Sequence, residues 1–503
     1  MYSRSILTSS LVILVCLSSP IEAQKDSTKN SAKYWSAGSK EIWQTIDGFL
    51  NDPNLTSASW GVMVQSMSSG EVLYKRNENK LLNSASLVKL FTTAAALSLL
   101  GNDFTYETQI RTTGLLEGAT LTGDLIIVGS GDPTISGRLY NNDIFFVFNQ
   151  WAEKLIDLGI MTITGSLVGD DSAFEQIGLG KGWQWDHLSD WYAAPSGALS
   201  LNDNAVDITL FPGEIGFSPE IDLTPLSKYI SVINDVVTVS ADSTTKIEIT
   251  RDHGSNIIRL SGRIRQNEQP YTKSVSIESP SEFFIQILSE VLQRRGIRIQ
   301  GGWKTGSKTG SEINLKGTTL LFKHYSKQLS EIVRLCNKNS YNFYAEQLLK
   351  TLGLVDAGFG STTNGLNVVN QYLAKAQIDP TGLKIVDGSG LSLLNLSSAE
   401  QYAKLLRSVF KSDFFQYFFN SLPVAGKDGS LADRLLDASS ANNLRGKPGL
   451  NEGVRSLAGY LKTADNETLA VVFISNNHLV PFSYIDNIID KICNRLSILK
   501  RKK

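Results

Sequence analysis

Four stretches of the chain place a serine three residues ahead of a lysine: Ser86-Leu-Val-Lys89, Ser243-Thr-Thr-Lys246, Ser408-Val-Phe-Lys411 and Ser497-Ile-Leu-Lys500. On a helix, residues three apart share a face, with Cβ atoms roughly 5–6 Å from one another, so the amine can reach the hydroxyl. The serine could then act as a nucleophile and the lysine as its base, provided that apolar or cation-rich surroundings keep the lysine neutral. Lys89, flanked by Val88 and Leu90 in the run LVKLFTTAAALSLL, meets that condition. Lys246 lies in a polar, strand-like run, Lys500 belongs to the basic tail LKRKK, and Lys411 stands near Asp413, whose carboxylate would keep it charged. The plain alternative for Ser86 is that it caps a helix.

Two further patterns could hold a peptide. Ser340-Tyr341-Asn342 offers a hydroxyl and an amide side by side, although Ser200-Leu-Asn202, Ser440-Ala-Asn442 and Ser475-Asn-Asn477 match the same spacing. Lysine-threonine-glycine triplets overlap in KTGSKTG at 304–310, and Lys447-Pro448-Gly449 is a third candidate with its middle residue changed.

These groups need elements to carry them. Trp60–Gln65 and Glu71–Tyr74 flank the turn SMSSG and read as a β-hairpin, and residues 87–100 read as an apolar helix stopped by Gly101, with Ser86 at its start. From about Phe104 to Ile277, alternation broken by Gly, Asp and Asn predicts a strand-rich region. Helical periodicity returns at 281–295 and dominates 330–420; VRSLAGYLKT and TLAVVFISNN then form a second hairpin, followed by a helix from about Phe482. Strands at both ends with helices between them predict one sheet closed by the two termini. The final helix is amphipathic and basic, so it either packs on that sheet or lies weakly on an anionic membrane.

The 503 residues are 42% hydrophobic and 19% charged, ordinary for a globular chain of several domains, and 48 basic against 49 acidic side chains give no reason to expect a nucleic-acid partner. Arg4, the apolar run Ile6–Leu17 and Ile21-Glu22-Ala23 have the pattern of a secretory signal cleaved after Ala23. Val15 before Cys16 argues against a lipid-modified leader. Cys336 and Cys493 remain in the mature chain, each in an apolar helical pattern that suits a buried thiol better than a disulfide. Four scattered histidines and no Cys/His cluster leave no metal site, and no cofactor is expected.

Taken together, SASLVKLFTTAAAL, GDLIIVGSGDPT, WQWDHLSDWYAAPSGALSLNDNAV, NKNSYNFYAEQLL, VDGSGLSLLN, LPVAGKDGSLADRL and GKPGLNEGVRSLAGYL resemble, in that order, the serine D-alanyl-D-alanine carboxypeptidase/endopeptidases, the low-molecular-mass class C penicillin-binding proteins with a large insert. The resemblance spans nearly the whole mature chain. It implies an α/β (α+β) fold: a β-lactamase/transpeptidase-like domain with an antiparallel sheet flanked by helices, built from 24–104 and 278–503 after a signal peptide at 1–23. A β-rich insert at 105–277, of two small domains, would interrupt it.

The resemblance also chooses among the triplets. In this family the lysine triplet follows the S-x-N element on a strand bordering the site, so Lys447-Pro448-Gly449 is selected and KTGSKTG becomes a solvated loop. Pro448 and Leu450 stand where hydroxyl residues are usual, which weakens the expected recognition of a terminal carboxylate. Leu393 stands where relatives often carry arginine. The implied roles are Ser86 as nucleophile, Lys89 as base and Ser340 as proton relay, with Asn342, Lys447, Gly449 and Leu450 binding substrate and the Ser86 and Leu450 N–H groups forming an oxyanion hole. Trp183, Asp186 and Tyr192 would line a pocket for the substrate's distal side chain.

The implied activity is hydrolysis of D-Ala-D-Ala or of D-Ala-diamino-acid cross-links in peptidoglycan peptides through an acyl-enzyme that β-lactam antibiotics would trap, in the periplasm or otherwise outside the cytoplasm. Two alternatives stay open: a catalytically impaired cell-wall-binding relative, and a β-lactamase-like hydrolase.

Overall fold

The computed structural model describes residues 37–309, 313–436 and 438–501, so the leader-like segment 1–23 lies outside the described residues. Five antiparallel strands form the sheet that joins the two ends of the chain, in the order Arg445–Asn451, Val454–Lys462, Thr468–Asn476, Ser59–Ser66, Val72–Arg76. The N-terminal hairpin thus pairs with the C-terminal one through Ser59–Ser66 and Thr468–Asn476.

Both faces of this sheet are covered, which explains why its central strand reads TLAVVFISN with almost no polar alternation. Leu469, Val471 and Phe473 enter a core with Ile485, Ile489 and Ile492 of the last helix, Phe482–Ser497. Ala470, Val472 and Ile474 enter the opposite core, with Leu90, Phe91 and Ala94 of the helix Val88–Leu100 and with Tyr344, Leu348 and Leu349 of the helix Asn342–Ala357. The last helix buries its apolar stripe on the sheet rather than presenting it to a membrane. Among the described residues no helix is long and apolar enough to cross one.

The intervening segment has its own core. A mixed five-stranded sheet runs Trp303–Thr305, Leu167–Asp170, Leu125–Val128, Glu107–Thr112, Thr319–Tyr325, and smaller sheets of four, three and three strands accompany it. The expected strand-rich character is present, but Phe146–Asp157 is a helix whose Val147, Phe148, Trp151, Ala152 and Leu155 are buried on one face. The expected return to the terminal domain at 278 also needs correction. Phe283, Phe284, Ile287 and Leu288 of the helix Pro280–Arg294 pack in the insert's core, and Thr319–Tyr325 pairs with Glu107–Thr112. The chain rejoins the core around Val88–Leu100 only at Leu329.

The described part of the KTGSKTG stretch, residues 304–309, is a strand end and a short helix rather than a loop, and Gly310 lies outside the described residues. Trp303–Thr305 is an edge strand paired with Leu167–Gly169, Thr305 is buried, and Ser307 donates its backbone N–H and hydroxyl to Asp171. Its place at the edge of the insert's sheet, with the Lys304 amine paired to Asp124 at 3.2 Å, sets Lys304-Thr305-Gly306 apart from the sheet that carries Lys447. Cys336 and Cys493 are free thiols, both fully buried, in two different cores.

Candidate active site

Ser86 lies in the single tight turn Ala85–Leu87, which runs directly into the helix Val88–Leu100. Ala85 holds the left-handed φ of 49°, a conformation that costs energy in any residue with a Cβ and needs its surroundings to enforce it. Asn83 supplies part of that enforcement: its Oδ1 accepts from Ala85 N–H at 2.9 Å, and its backbone is held at both ends by the Asn476 amide. Gly390 supplies the rest, because a Cβ there would stand 2.0 Å from the Ala85 carbonyl oxygen.

One turn on, Lys89 is fully buried and its ammonium has three acceptors: Ser86 Oγ at 3.0 Å, Asn342 Oδ1 at 2.6 Å and the Ser389 carbonyl at 2.6 Å. Burial pulls its pKa down to about 8, against the opposing influence of Cys336, Asp387 and Glu346 nearby. A neutral amine at the same distance accepts the Ser86 proton instead of donating to the oxygen.

Ser340 sits in the left-handed link between the helices Leu329–Asn339 and Asn342–Ala357, with φ 63°. Its hydroxyl accepts from Lys447 Nζ at 2.7 Å, and Asn342 fixes its own amide by donating to the Tyr192 carbonyl at 2.8 Å. Lys447 is also fully buried, and burial, reinforced by the charge of Lys89, holds its pKa well below the usual lysine range. An anion entering the cleft would favour its charged form.

The strand carrying Lys447 is the edge of the sheet, and the direction of its peptide groups explains how proline is accommodated. Gly446 donates outward to the Pro423 carbonyl at 3.0 Å, so the even-numbered residues point away from the neighbouring strand. Pro448 therefore removes no ladder bond, and the Leu450 N–H faces the open edge of the cleft. Gly449 has no room for a side chain: a Cβ would lie 2.3 Å from Ser456 Oγ, 2.7 Å from the Ser84 carbonyl and 3.1 Å from the Ser86 nitrogen. That close approach brings the Ser86 and Leu450 amides to the same edge.

A cleft of about 590 Å³ opens over these groups, lined by Ser86, Ser340, Asn342, Lys447, Gly449, Leu450 and Tyr192, all named from the sequence, while Lys89 lies buried beneath it. Trp183 and Asp186 do not line it. Trp183 donates its indole N–H to Asp387 at 3.0 Å and so braces the loop 387–392, and Asp186 sits on an exposed one-turn helix. Gln184, His187 and Trp191 occupy the wall instead. The cleft's remaining cation, Arg455, is held by both oxygens of Asp486 at 2.7 and 2.6 Å. Leu393 is partly exposed and outside the lining, where Leu391 stands. Sequence reasoning also missed the Ser389 carbonyl, a backbone acceptor with no side-chain signal. Among the described residues no group of three or more His, Cys, Asp or Glu side chains is placed to hold a metal ion.

Residues 42–496 match the model of a family described as D-Ala-D-Ala carboxypeptidase 3 (S13). A D-alanyl-D-alanine carboxypeptidase of Actinomadura sp. (strain R39) is 31% identical over 452 residues, 88% of this chain and 82% of the relative. D-alanyl-D-alanine carboxypeptidase DacB of Haemophilus influenzae is 26% identical over 83% of this chain and 85% of its own. In fold, the chain is similar to penicillin binding protein 4 from Haemophilus influenzae, with a TM-score of 0.79 at 23% identity over 90% of this chain and 99% of that one. A second structure of that protein, complexed with a β-lactam, superposes with a TM-score of 0.74 at 22% identity over the same shares.

Proposed function

The chain belongs to the D-Ala-D-Ala carboxypeptidase 3 (S13) family, and from that membership we propose that it is a serine DD-peptidase that cleaves peptidoglycan stem peptides through an acyl-enzyme on Ser86. The observation that carries the reading is the convergence of two serine-lysine contacts in one cleft, Ser86 with Lys89 and Ser340 with Lys447. Lys89 takes the proton of Ser86 as its oxygen attacks the carbonyl between two D-alanine residues. The Ser86 and Leu450 N–H groups receive the developing oxyanion, and Ser340, coupled to Lys447, passes a proton to the leaving amine. Asn342 holds the substrate backbone. Water then releases the acyl group, whereas a β-lactam remains attached. Cleavage of D-Ala-diamino-acid cross-links uses the same steps with a larger leaving group. The leader-like pattern at 1–23 supports export to the compartment that holds peptidoglycan.

A second reading has one observation in its favour: neither Pro448 nor Leu450 offers a hydroxyl to a terminal carboxylate, as expected of a relative that retains binding and has lost turnover. Incubating the purified protein with a stem pentapeptide ending in D-Ala-D-Ala and with a cross-linked dimer, and following released D-alanine and monomer by chromatography, separates the two. The peptidase is expected to yield at least one product in a catalytic excess over enzyme; a stoichiometric penicillin adduct with neither product would establish the impaired relative.

The pH dependence follows from Lys89. Its folded-state pKa is lowered to about 8, so the neutral base is a minor species at pH 7 and the major one at pH 9. The rate of acylation by a penicillin is therefore expected to climb about tenfold per pH unit below pH 8 and to level off above it. A flat profile between pH 6 and 9 would rule out Lys89 as the titrating base.

A further inference from the structure

Beneath Lys89 lies a carboxylate that the peptidase mechanism does not use. Glu346 is buried, one helical turn after Asn342 on the helix Asn342–Ala357, so the two side chains share a face. Its Oε1 accepts from Gly388 N–H at 3.0 Å and from Ser389 N–H at 2.8 Å, and its Oε2 accepts from Gly388 N–H at 3.1 Å. The Ser389 carbonyl, at the other side of that residue, receives Lys89 at 2.6 Å, and the Gly388 carbonyl receives the hydroxyl of Thr92, three residues after Lys89 on the same helix. Gly388 is pressed onto the helix so closely that a Cβ would meet the Ala345 carbonyl at 2.7 Å and Leu349 Cβ at 3.0 Å.

We propose that Glu346 is a positioning residue for the acyl-transfer reaction: it clamps the Gly388-Ser389 peptide so that the Ser389 carbonyl aims the Lys89 amine at Ser86, and its charge sets how readily that amine gives up its proton. The inference rests on the serine-peptidase reading of the cleft. One helix face thus supplies both lateral acceptors of Lys89, Asn342 directly and Ser389 through Glu346.

The charged groups around the pair act in defined directions. Glu346 is pushed up by burial and by Asp387 in the facing loop, and is drawn down by its bonds to Ser389 and Gly388 and by Lys350 on its own helix, which in turn pairs with Glu175. Lys89 is faced by Cys336, Asp387 and Glu346, and it shares the site with Lys447. Ionised Glu346 favours the protonated amine. Removing the charge while keeping the oxygen therefore lowers the Lys89 pKa without moving the amine.

Two substitutions separate aim from charge. Glu346→Gln keeps an oxygen for both N–H groups, and Glu346→Ala removes it. The protein is labelled with 13Cε-lysine, the Lys89 signal is assigned by its loss in Lys89→Met, and its titration is followed alongside the pH dependence of acylation by benzylpenicillin. Glu346→Gln is expected to move the Lys89 midpoint down by about half a pH unit or more, with the acylation profile shifting equally. Glu346→Ala is expected to slow acylation about 100-fold at every pH, because a misaimed base is not rescued by deprotonation. An unchanged Lys89 midpoint in Glu346→Gln, or acylation within about threefold of the parent in Glu346→Ala, would overturn the proposal. If Glu346→Ala does not fold, the Glu346→Gln midpoint decides alone. A moved midpoint in a protein whose parent forms no adduct would leave the influence of the Glu346 charge on Lys89 standing and refute the peptidase reading instead.

Discussion

Replacing Ser86 by alanine is expected to abolish the penicillin adduct in intact-mass measurements and to lower D-alanine release by at least about 10⁴-fold. The hydroxyl is the atom that forms the acyl bond, and of the other serines lining the cleft, Ser340 and Ser430, Ser340 is the candidate to stand in for it, with its own lysine partner engaged at 2.7 Å. The fold should survive the change. Lys89 keeps Asn342 and the Ser389 carbonyl as acceptors, so the loss is one hydrogen bond to a half-buried hydroxyl, about 1 kcal/mol. Thermal unfolding therefore distinguishes a lost nucleophile from a lost structure. The three other serine-lysine spacings supply controls: Lys246 begins an insert strand, Lys411 closes the helix Ala399–Phe410, and Ser497 is engaged with Ser439 at the end of the last helix. Alanine at Ser243, Ser408 or Ser497 is expected to leave the adduct unchanged. A stoichiometric adduct persisting in Ser86→Ala would place the nucleophile elsewhere and remove the basis of the acyl-enzyme reading.

What the sequence could convey depended on whether the information was local. The hairpin at 59–76 and the strand pair at 454–476 were legible because tight turns join neighbouring segments. The closure of one sheet by both termini followed from strands left at each end. The helix Phe146–Asp157 carries an ambiguous signal: Val147, Trp151 and Leu155 mark one helical face, but its opening aromatic and β-branched residues also suit a strand. The domain boundary failed for a different reason. The helix Pro280–Arg294 has the same periodicity whichever core receives it, and only the pairing of Thr319–Tyr325 with Glu107–Thr112 shows to which core its segment belongs.

The site shows the same division. Spacing and apolar context single out Ser86 and Lys89, whereas Ser340, Asn342 and Lys447 are selected from several equivalent matches only by the family resemblance, and the structure brings all five to one cleft or its floor. Backbone acceptors such as Ser389 have no side-chain signature, and Trp183, an aromatic beside the site by sequence context, proved to be a brace for Asp387. Glu346 was within reach of reasoning, since a carboxylate four residues after Asn342 must share its face, but its partners come from a loop more than forty residues away in sequence.

Lys89→Met is expected to leave a folded protein that is nearly inert. Methionine fills about the same apolar volume, and it removes a buried charge whose desolvation is costly. Against this gain, Asn342 Oδ1 and the Ser389 carbonyl lose their donor, at about 1–3 kcal/mol for buried acceptors. The two effects oppose each other, so the unfolding midpoint should change little. Chemistry has no such compensation. Without a base, Ser86 keeps its proton, and acylation by a penicillin should fall about 10²–10⁴-fold, with the limb near pH 8 gone from what remains.

The measurement also separates the two lysines. Burial depresses both, but Lys89 reaches Ser86 and Lys447 reaches Ser340, so they should not substitute for one another. Acylation within about tenfold of the parent in Lys89→Met would mean that Lys447 deprotonates Ser86 by way of Ser340. In that event Ser340→Ala would become the more damaging change. If Lys89 is the base, Ser340→Ala should impair release of the leaving amine from a peptide more than ring opening of a β-lactam, whose amine stays tethered to the acyl group.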